Sequence, residues 1–178
     1  SLRTFSRLDE AEMKTVDIHE GIESTLMILQ HRINPKQEHS GIEIIKKYAN
    51  LPKVVCFAGQ LNQVFMNLIA NAIDALEEGV IKGHVSVPQI KITTEILNND
   101  RIAIHIIDNG TGIPEEVKRR LFDPFFTTKP VGVGTGLGLS ISYQIVVDKH
   151  GGQLHCLSEL GEGTEFVIEI PTTQPDNS

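Results

Sequence analysis

Six of the fifteen glycines of this 178-residue chain fall between Ile107 and Ser140. Gly110 and Gly112 belong to Asp108-Asn109-Gly110-Thr111-Gly112, at the end of an apolar strand pattern. Gly132, Gly134, Gly136 and Gly138 belong to Gly132-Val133-Gly134-Thr135-Gly136-Leu137-Gly138-Leu139-Ser140, which runs into a helical pattern. A residue without a Cβ lets backbone amides approach an anion closely. A glycine run feeding a helix start also aims free N–H groups and the positive dipole end at one point, a geometry suited to phosphate. A flexible linker would lack the strand and helix signals that flank this stretch.

The common phosphate motifs do not fit. G-x-G-x-x-G fails, because Leu137 stands three positions after Gly134 and Thr135 three after Gly132. A P-loop fails for want of Gly-Lys-Ser/Thr at the required distance, and no V-A-I-K or D-F-G accompanies the loop. Two other features carry chemistry. Asp108 closes an apolar strand, where a carboxylate is costly without a partner; ionised, it accepts hydrogen bonds only, as an exocyclic amine such as that of adenine would require. On its own it is equally a turn-forming Asp before Asn-Gly. Between Gln60 and Glu78, Gln63, Asn67, Asn71 and Asp74 recur at helical steps of four, four and three, lining one narrow face. A solvated face would favour Lys, Glu and Arg over the poor helix former Asn, so these amides point to a polar site. An Asn oxygen is a suitable hard ligand for Mg²⁺, which takes few protein ligands plus substrate phosphates.

The length allows one domain with a real core. A formal net charge of −7 and a pI near 5.5 argue against a nucleic-acid binder. They leave nucleotide binding open, since a backbone nest and a metal ion offset the global field locally. No run is long enough to span a membrane and no signal-peptide pattern opens the chain, so a cytoplasmic location is expected for this part, whatever anchors a longer parent. Cys56 and Cys156 sit in apolar runs and read as free buried thiols.

The elements that must hold these residues are readable in outline. Thr15–His19 is a brief strand or helix entry. Ile22 to Ile33 is an amphipathic helix stopped by Asn34-Pro35. Ile42–Tyr48 and Lys53–Phe57 are strands, and Gln60–Glu78 is a long helix ending at Gly79. Gln89–Leu97 and Arg101–Ile107 form a hairpin. Pro114 opens a short helix over Glu115–Leu121. Leu137–His150 is a helix stopped by Gly151-Gly152. Gln153–Ser158 and Thr164–Ile170 form a closing hairpin, and Thr172–Ser178 is a frayed tail. The pattern predicts an α+β fold: a two-layer α/β sandwich with a mixed, mostly antiparallel sheet and helices on one face.

Taken together, the motifs resemble those of the sensor histidine kinases. Asn67-Leu68-Ile69-Ala70-Asn71-Ala72-Ile73-Asp74-Ala75 is similar to their N box, and Asp108-Asn109-Gly110-Thr111-Gly112-Ile113 to their first glycine box. Phe122-Asp123-Pro124-Phe125-Phe126-Thr127-Thr128-Lys129 resembles the F box, Gly132 to Ser140 the second glycine box, and Gly163-Thr164-Glu165-Phe166 the last motif. The resemblance implies the Bergerat-type ATP-binding fold shared with gyrase B, heat-shock chaperone and mismatch-repair ATPases, with ATP and Mg²⁺ as ligands. It implies that Asn71 coordinates Mg²⁺, that Asp108 takes the adenine amino group, and that Thr164 supports that contact. Gly110 and Gly112 would let the backbone pass close to the base. Residues Ile113 to Thr135 would form a lid anchored by Phe125 and Phe126, with Thr128 beside the nucleotide. Lys129 would either reach the γ-phosphate as a catalytic cation or stand as a solvated lid charge. Gly132, Gly134, Thr135, Gly136, Leu137 and Gly138 would present backbone to the phosphates, and Asp74 would border them in a role the resemblance does not specify.

Hydrolytic relatives place a Glu one turn before the metal-binding Asn; here that position is Asn67, a neutral amide and no general base. A site of this kind should hold MgATP without hydrolysing it efficiently. This weighs against a gyrase- or chaperone-type ATPase, while the intact Asn71, Asp108 and glycines weigh against a degenerate docking module. Neither His19 nor His31 has the context of a phosphate-accepting histidine. Leu2–Asp9 resembles the end of a dimerisation helix. Residues 1–10 are therefore expected to be that helix end and a linker, 11–171 the catalytic domain, and 172–178 a flexible tail. The implied partners are an upstream dimerisation domain carrying the acceptor histidine and a response regulator. This chain alone is expected to be monomeric and a full-length parent homodimeric.

Overall fold

The computed structural model describes residues 12–98, 100–124, 126 and 138–174. The chain enters through β1 (Met13–Val16) and α1 (Ile18–Ile28), followed by a single turn α2 (Gln30–Ile33). Asp17 caps α1 by accepting from the His19 amide at 2.9 Å. The expected single helix from Ile22 to Ile33 thus starts four residues earlier and breaks at Leu29. Then come β2 (Glu43–Lys47), β3 (Val54–Phe57) and α3 (Ala58–Ile81). The helix α3 runs through Gly79 rather than stopping there. A Cβ on Gly79 would stand 2.6 Å from Val85 Cγ2, so this glycine serves close packing inside the helix.

The remaining elements are β4 (Gln89–Asn98), β5 (Arg101–Asp108), α4 (Glu115–Lys118), α5 (Gly138–Tyr143), β6 (Gln153–Glu159) and β7 (Gly163–Pro171). Where one regular helix was expected to reach His150, α5 passes at Gln144 into a π-helical segment ending at Lys149. Gly151, at φ +67°, then ends it: Gly152 N–H donates to Val146 O and Gly151 N–H to Val147 O, each bond one residue wider than in the usual glycine C-cap because the last turns are π-helical.

Five strands form one sheet in the order β2-β4-β5-β7-β6, antiparallel except for the parallel pair β2–β4. Strands β1 and β3 make a separate antiparallel pair. The two expected hairpins are therefore present, within a mixed and mostly antiparallel sheet. One sheet face buries Ile90, Ile92, Ile102, Ile104, Ile106, Phe166, Ile168 and Ile170 in one core with Leu61, Phe65, Leu68, Ile69 and Leu76 of α3. The apolar residues of α3 cover most of its circumference, so it packs both on the sheet and against α1.

Cys56 is buried and Cys156 half-buried; both are free, and burial pushes each thiol up to about 11. Thr172 is buried, donating its N–H to Asp100 O while its carbonyl accepts from Val55 N, and Gln174 donates to His150 O. Among the described residues no helix is long and apolar enough to cross a membrane.

Candidate functional site

Side chains alternate faces along a strand, so Ile102, Ile104, Ile106 and Asp108 of β5 share the core-facing side. The last of these is a carboxylate placed where an apolar side chain would be expected, and it is only 5% exposed. Strand register extends a polar row outward from it: Asp108 pairs with Thr164 on β7, and Thr164 pairs with Ser158 on β6. The preceding rows are apolar, as in Ile92, Ile106, Phe166 and Cys156. The sheet thus changes from core to site within one register step. Burial pushes the Asp108 carboxyl up to about 6, against hydrogen bonds from the backbone of Gly110 and Thr164 that pull it down.

The segment after β5 is strapped over this row. Gly110 N–H donates to Asp108 Oδ1 at 2.9 Å, and Asn109 is tied across to the start of β4 through Gln89 N–H and Val87 O. Gly112 lies at φ +83°, and a Cβ there would fall 2.2 Å from Glu159 O. Gly163, at φ +99°, lies so close to Asp108 that a Cβ would meet its carbonyl oxygen at 2.1 Å. Both positions therefore require glycine for backbone shape and for space. Ser158, which motif reasoning missed, is the hub beneath them. Its Oγ accepts from Ile113 N–H at 2.7 Å, donates to Gly163 O at 2.9 Å and lies 3.1 Å from Thr164 Oγ1. What marks it is its place in the Asp108–Thr164 row, which only the strand register reveals.

The opposite wall is α3, on which Gln63, Asn67, Asn71 and Asp74 share the predicted face; Gln63 is exposed and the other three are half-buried. A Cβ on Gly110 would lie 3.7 Å from Ala75, one turn after Asn71. The backbone of Gly138 packs on Asn67, one turn before it; a Cβ there would lie 3.7 Å from Asn67 Cγ. Asn71 is thus flanked by the carboxylate loop and by the start of α5. Asn67 donates from Nδ2 to Gly138 O at 3.1 Å and to the fully buried Ser142 Oγ at 3.2 Å. Asp74 accepts from Arg32 Nη2 at 2.6 Å, a partner 42 positions distant in sequence. Phe126 lies under Arg120, whose guanidinium is 4.6 Å from the ring centroid. The expectations for Phe125, Thr128, Lys129, Gly132, Gly134, Thr135, Gly136 and Leu137 lie outside the described residues. His19, rejected as a phosphate acceptor, is engaged structurally: its Nε2 is 2.9 Å from Thr94 Oγ1 and its ring stacks on Tyr48.

No group of three or more His, Cys, Asp or Glu able to hold a metal occurs among the described residues. A divalent ion here would have to share its coordination with ligand oxygens, which fits Mg²⁺ brought in with phosphates and held by one amide oxygen. The arrangement can therefore grip a base amine at a buried anionic acceptor, with an oxygen donor for a phosphate-bound cation on α3, one helical turn before the Ala75 that lies beside Gly110.

Residues 58–174 match the family described as histidine kinase-, DNA gyrase B- and HSP90-like ATPase. The chain is 35% identical to the sensor kinase CckA of Brucella abortus over 96% of its own length, and 35% identical to sporulation kinase E of Bacillus subtilis over 84%. It spans 18% of the length of each of these relatives. Among solved structures, the nucleotide-free catalytic domain of the histidine kinase ThkA superposes with a TM-score of 0.75 at 32% identity, covering 91% of this chain and 97% of that one. ThkA in complex with the response regulator TrrA gives 0.71 at 28% identity, over 90% of this chain and 42% of that one. With the fold, the motif order and these likenesses in agreement, the chain belongs to the histidine kinase-, gyrase B- and HSP90-like ATPase family, as a catalytic, ATP-binding domain of the sensor histidine kinase type.

Proposed function

We propose that this chain binds MgATP and transfers its γ-phosphoryl group to a histidine on a dimerisation domain outside it, as one step of a two-component relay. The observation that carries the reading is Asp108: a carboxylate in a core position, roofed by a glycine-bearing loop and facing the Asn-lined helix. Ionised Asp108 accepts from the exocyclic amine of adenine, and Thr164 and Ser158 hold that end of the sheet in register. Gly110, Gly112 and Ile113 carry the backbone around the base. Asn71 would supply an oxygen to Mg²⁺, which would neutralise charge developing on the phosphates. Gly138, Asn67 and Ser142 close the phosphate end. Phe126, with Phe125, Thr128, Lys129 and the run from Gly132 to Leu137, completes the set of residues proposed to bind the nucleotide.

Asn67 favours transfer over hydrolysis. Its amide donates to Gly138 O and Ser142 Oγ and has no basic group with which to activate water. The acceptor histidine would then be the nucleophile, and catalysis a matter of positioning and charge neutralisation. A response regulator is the proposed next partner; the complex of ThkA with TrrA supports this choice. The parent is proposed to be a homodimer with its catalytic domains on the cytoplasmic side.

The test follows MgATP binding by calorimetry and phosphate release in the same sample. Binding with negligible release is expected. Steady release would favour an ATPase, and no binding would overturn the reading.

A further inference from the structure

Beyond Asn71 the helix α3 carries two carboxylates: Asp74, three positions later on the same surface, and Glu77, three further on and about 120° around the helix from Asn71. A residue three positions on is a side-chain neighbour on the same helix surface, roughly 5–6 Å away between Cβ atoms. A triphosphate arriving at Asn71 would meet that negative charge. Arg32 answers it from another element. Carried on α2, the guanidinium spans the space to α3, and its Nη2 lies 2.6 Å from both Asp74 Oδ1 and Glu77 Oε1. The side chain is 25% exposed, so it is neither sunk in the core nor free in solvent. On the far side Glu77 Oε2 faces His39 Nε2 at 3.6 Å. His39 Nδ1 accepts from Gly41 N–H, so the neutral ring carries its proton on Nε2, directed toward Glu77. His39 Nε2 makes no hydrogen bond, so Glu77 is bonded by Arg32, which is held by two carboxylates. Guanidinium has five N–H donors. Among the described residues both of its contacts use the single nitrogen Nη2.

We propose that Arg32 is a positioning residue for the nucleotide's phosphates: anchored on Asp74 and Glu77, its positive charge offsets the Asp74 carboxylate next to Asn71 and lessens the repulsion that an anionic phosphate chain would meet on this face of α3. The inference rests on the site proposed above and assigns Asp74 its part there. Asp74 acts through Arg32, as the anchor of a cation supplied from α2.

The test compares MgATP, ADP and uncharged adenosine, by calorimetry at low and moderate salt, on the whole chain. Adenosine binding by the wild type reads the base pocket, so loss of both ATP and adenosine binding in the wild type would overturn the site reading itself rather than this inference. In Arg32→Gln, ATP affinity is expected to fall roughly three- to tenfold with adenosine affinity unchanged, and the loss should shrink as salt screens the exposed charge. Adding Asp74→Asn to Arg32→Gln should recover most of that loss. Asp74→Asn alone leaves Arg32 on Glu77 and should keep or raise ATP affinity; it also serves as the deciding variant if Arg32→Gln folds poorly. Three results would overturn the proposal: equal weakening of ATP and adenosine in Arg32→Gln, no change in ATP affinity, or a marked fall in Asp74→Asn, which would make Asp74 a direct ligand of metal or nucleotide.

Discussion

Replacing Asp108 by Asn should make the domain more stable and less able to bind ATP. Burial raises the carboxyl from 3.8 to about 6. That difference corresponds to about 3 kcal/mol of unfavourable burial of the charged form near neutral pH. The sign follows from the direction of the shift. A carboxyl raised by folding carries its penalty in full above the folded value, and the penalty disappears as pH falls through 6 toward 3.8. Asparagine removes the charge but adds an amide donor, whose burial without a partner costs about 1–3 kcal/mol. The variant should therefore be more stable than wild type by about 1 kcal/mol at pH 8, a Tm increase of roughly 2–4 °C for a chain of this length. At pH 5 about half of the wild-type penalty is gone, so the gap should shift toward the wild type by roughly 1.4 kcal/mol. Acid unfolding common to both proteins cancels in the difference. Calorimetric melts at pH 8 and pH 5, paired with MgATP titrations at pH 7.5, provide the assay. ATP affinity should fall about 10- to 100-fold with loss of the charged acceptor. A pH-independent stability difference, or one that favours the variant more at pH 5, would refute the buried-charge argument. Unchanged ATP affinity would refute the adenine assignment.

The loop and its hub give two further outcomes. Gly112→Ala combines φ +83° with a Cβ 2.2 Å from Glu159 O, so the segment after β5 must shift. This should cost about 1–3 kcal/mol in a denaturant melt and weaken MgATP binding, whereas Gly161→Ala, at φ +86° with open space around it, should cost less and leave binding intact. Ser158→Ala deprives Ile113 N–H and Gly163 O of their partner; a loss of about 1–3 kcal/mol and faster hydrogen exchange at Ile113 are expected, and unchanged exchange would remove Ser158 from its place as hub.

Much of the site was legible because its signals are local. Asp108 announces itself as a charge closing an apolar alternation, and the stripe Asn67, Asn71, Asp74 follows from helical spacing alone. The contribution of Ser158 was not legible, because it comes from strand register across β7, which no local window contains. The role of Asp74 was equally hidden: its partner Arg32 lies on another helix, and only the tertiary structure brings that side chain to it.

The same division runs through the fold. By itself the sequence determined both hairpins, since strands joined by a short turn close little entropy and pair as neighbours. It also determined the stop at Gly151, where a residue without a Cβ can take the left-handed conformation. Only the tertiary structure decided that β2 pairs in parallel with β4 while β3 leaves the main sheet to join β1. It also decided that α3 continues through Gly79, whose missing side chain leaves the space that Val85 fills. Pairing of strands distant in sequence and packing around a glycine depend on which surfaces meet, and that is settled only when the core closes.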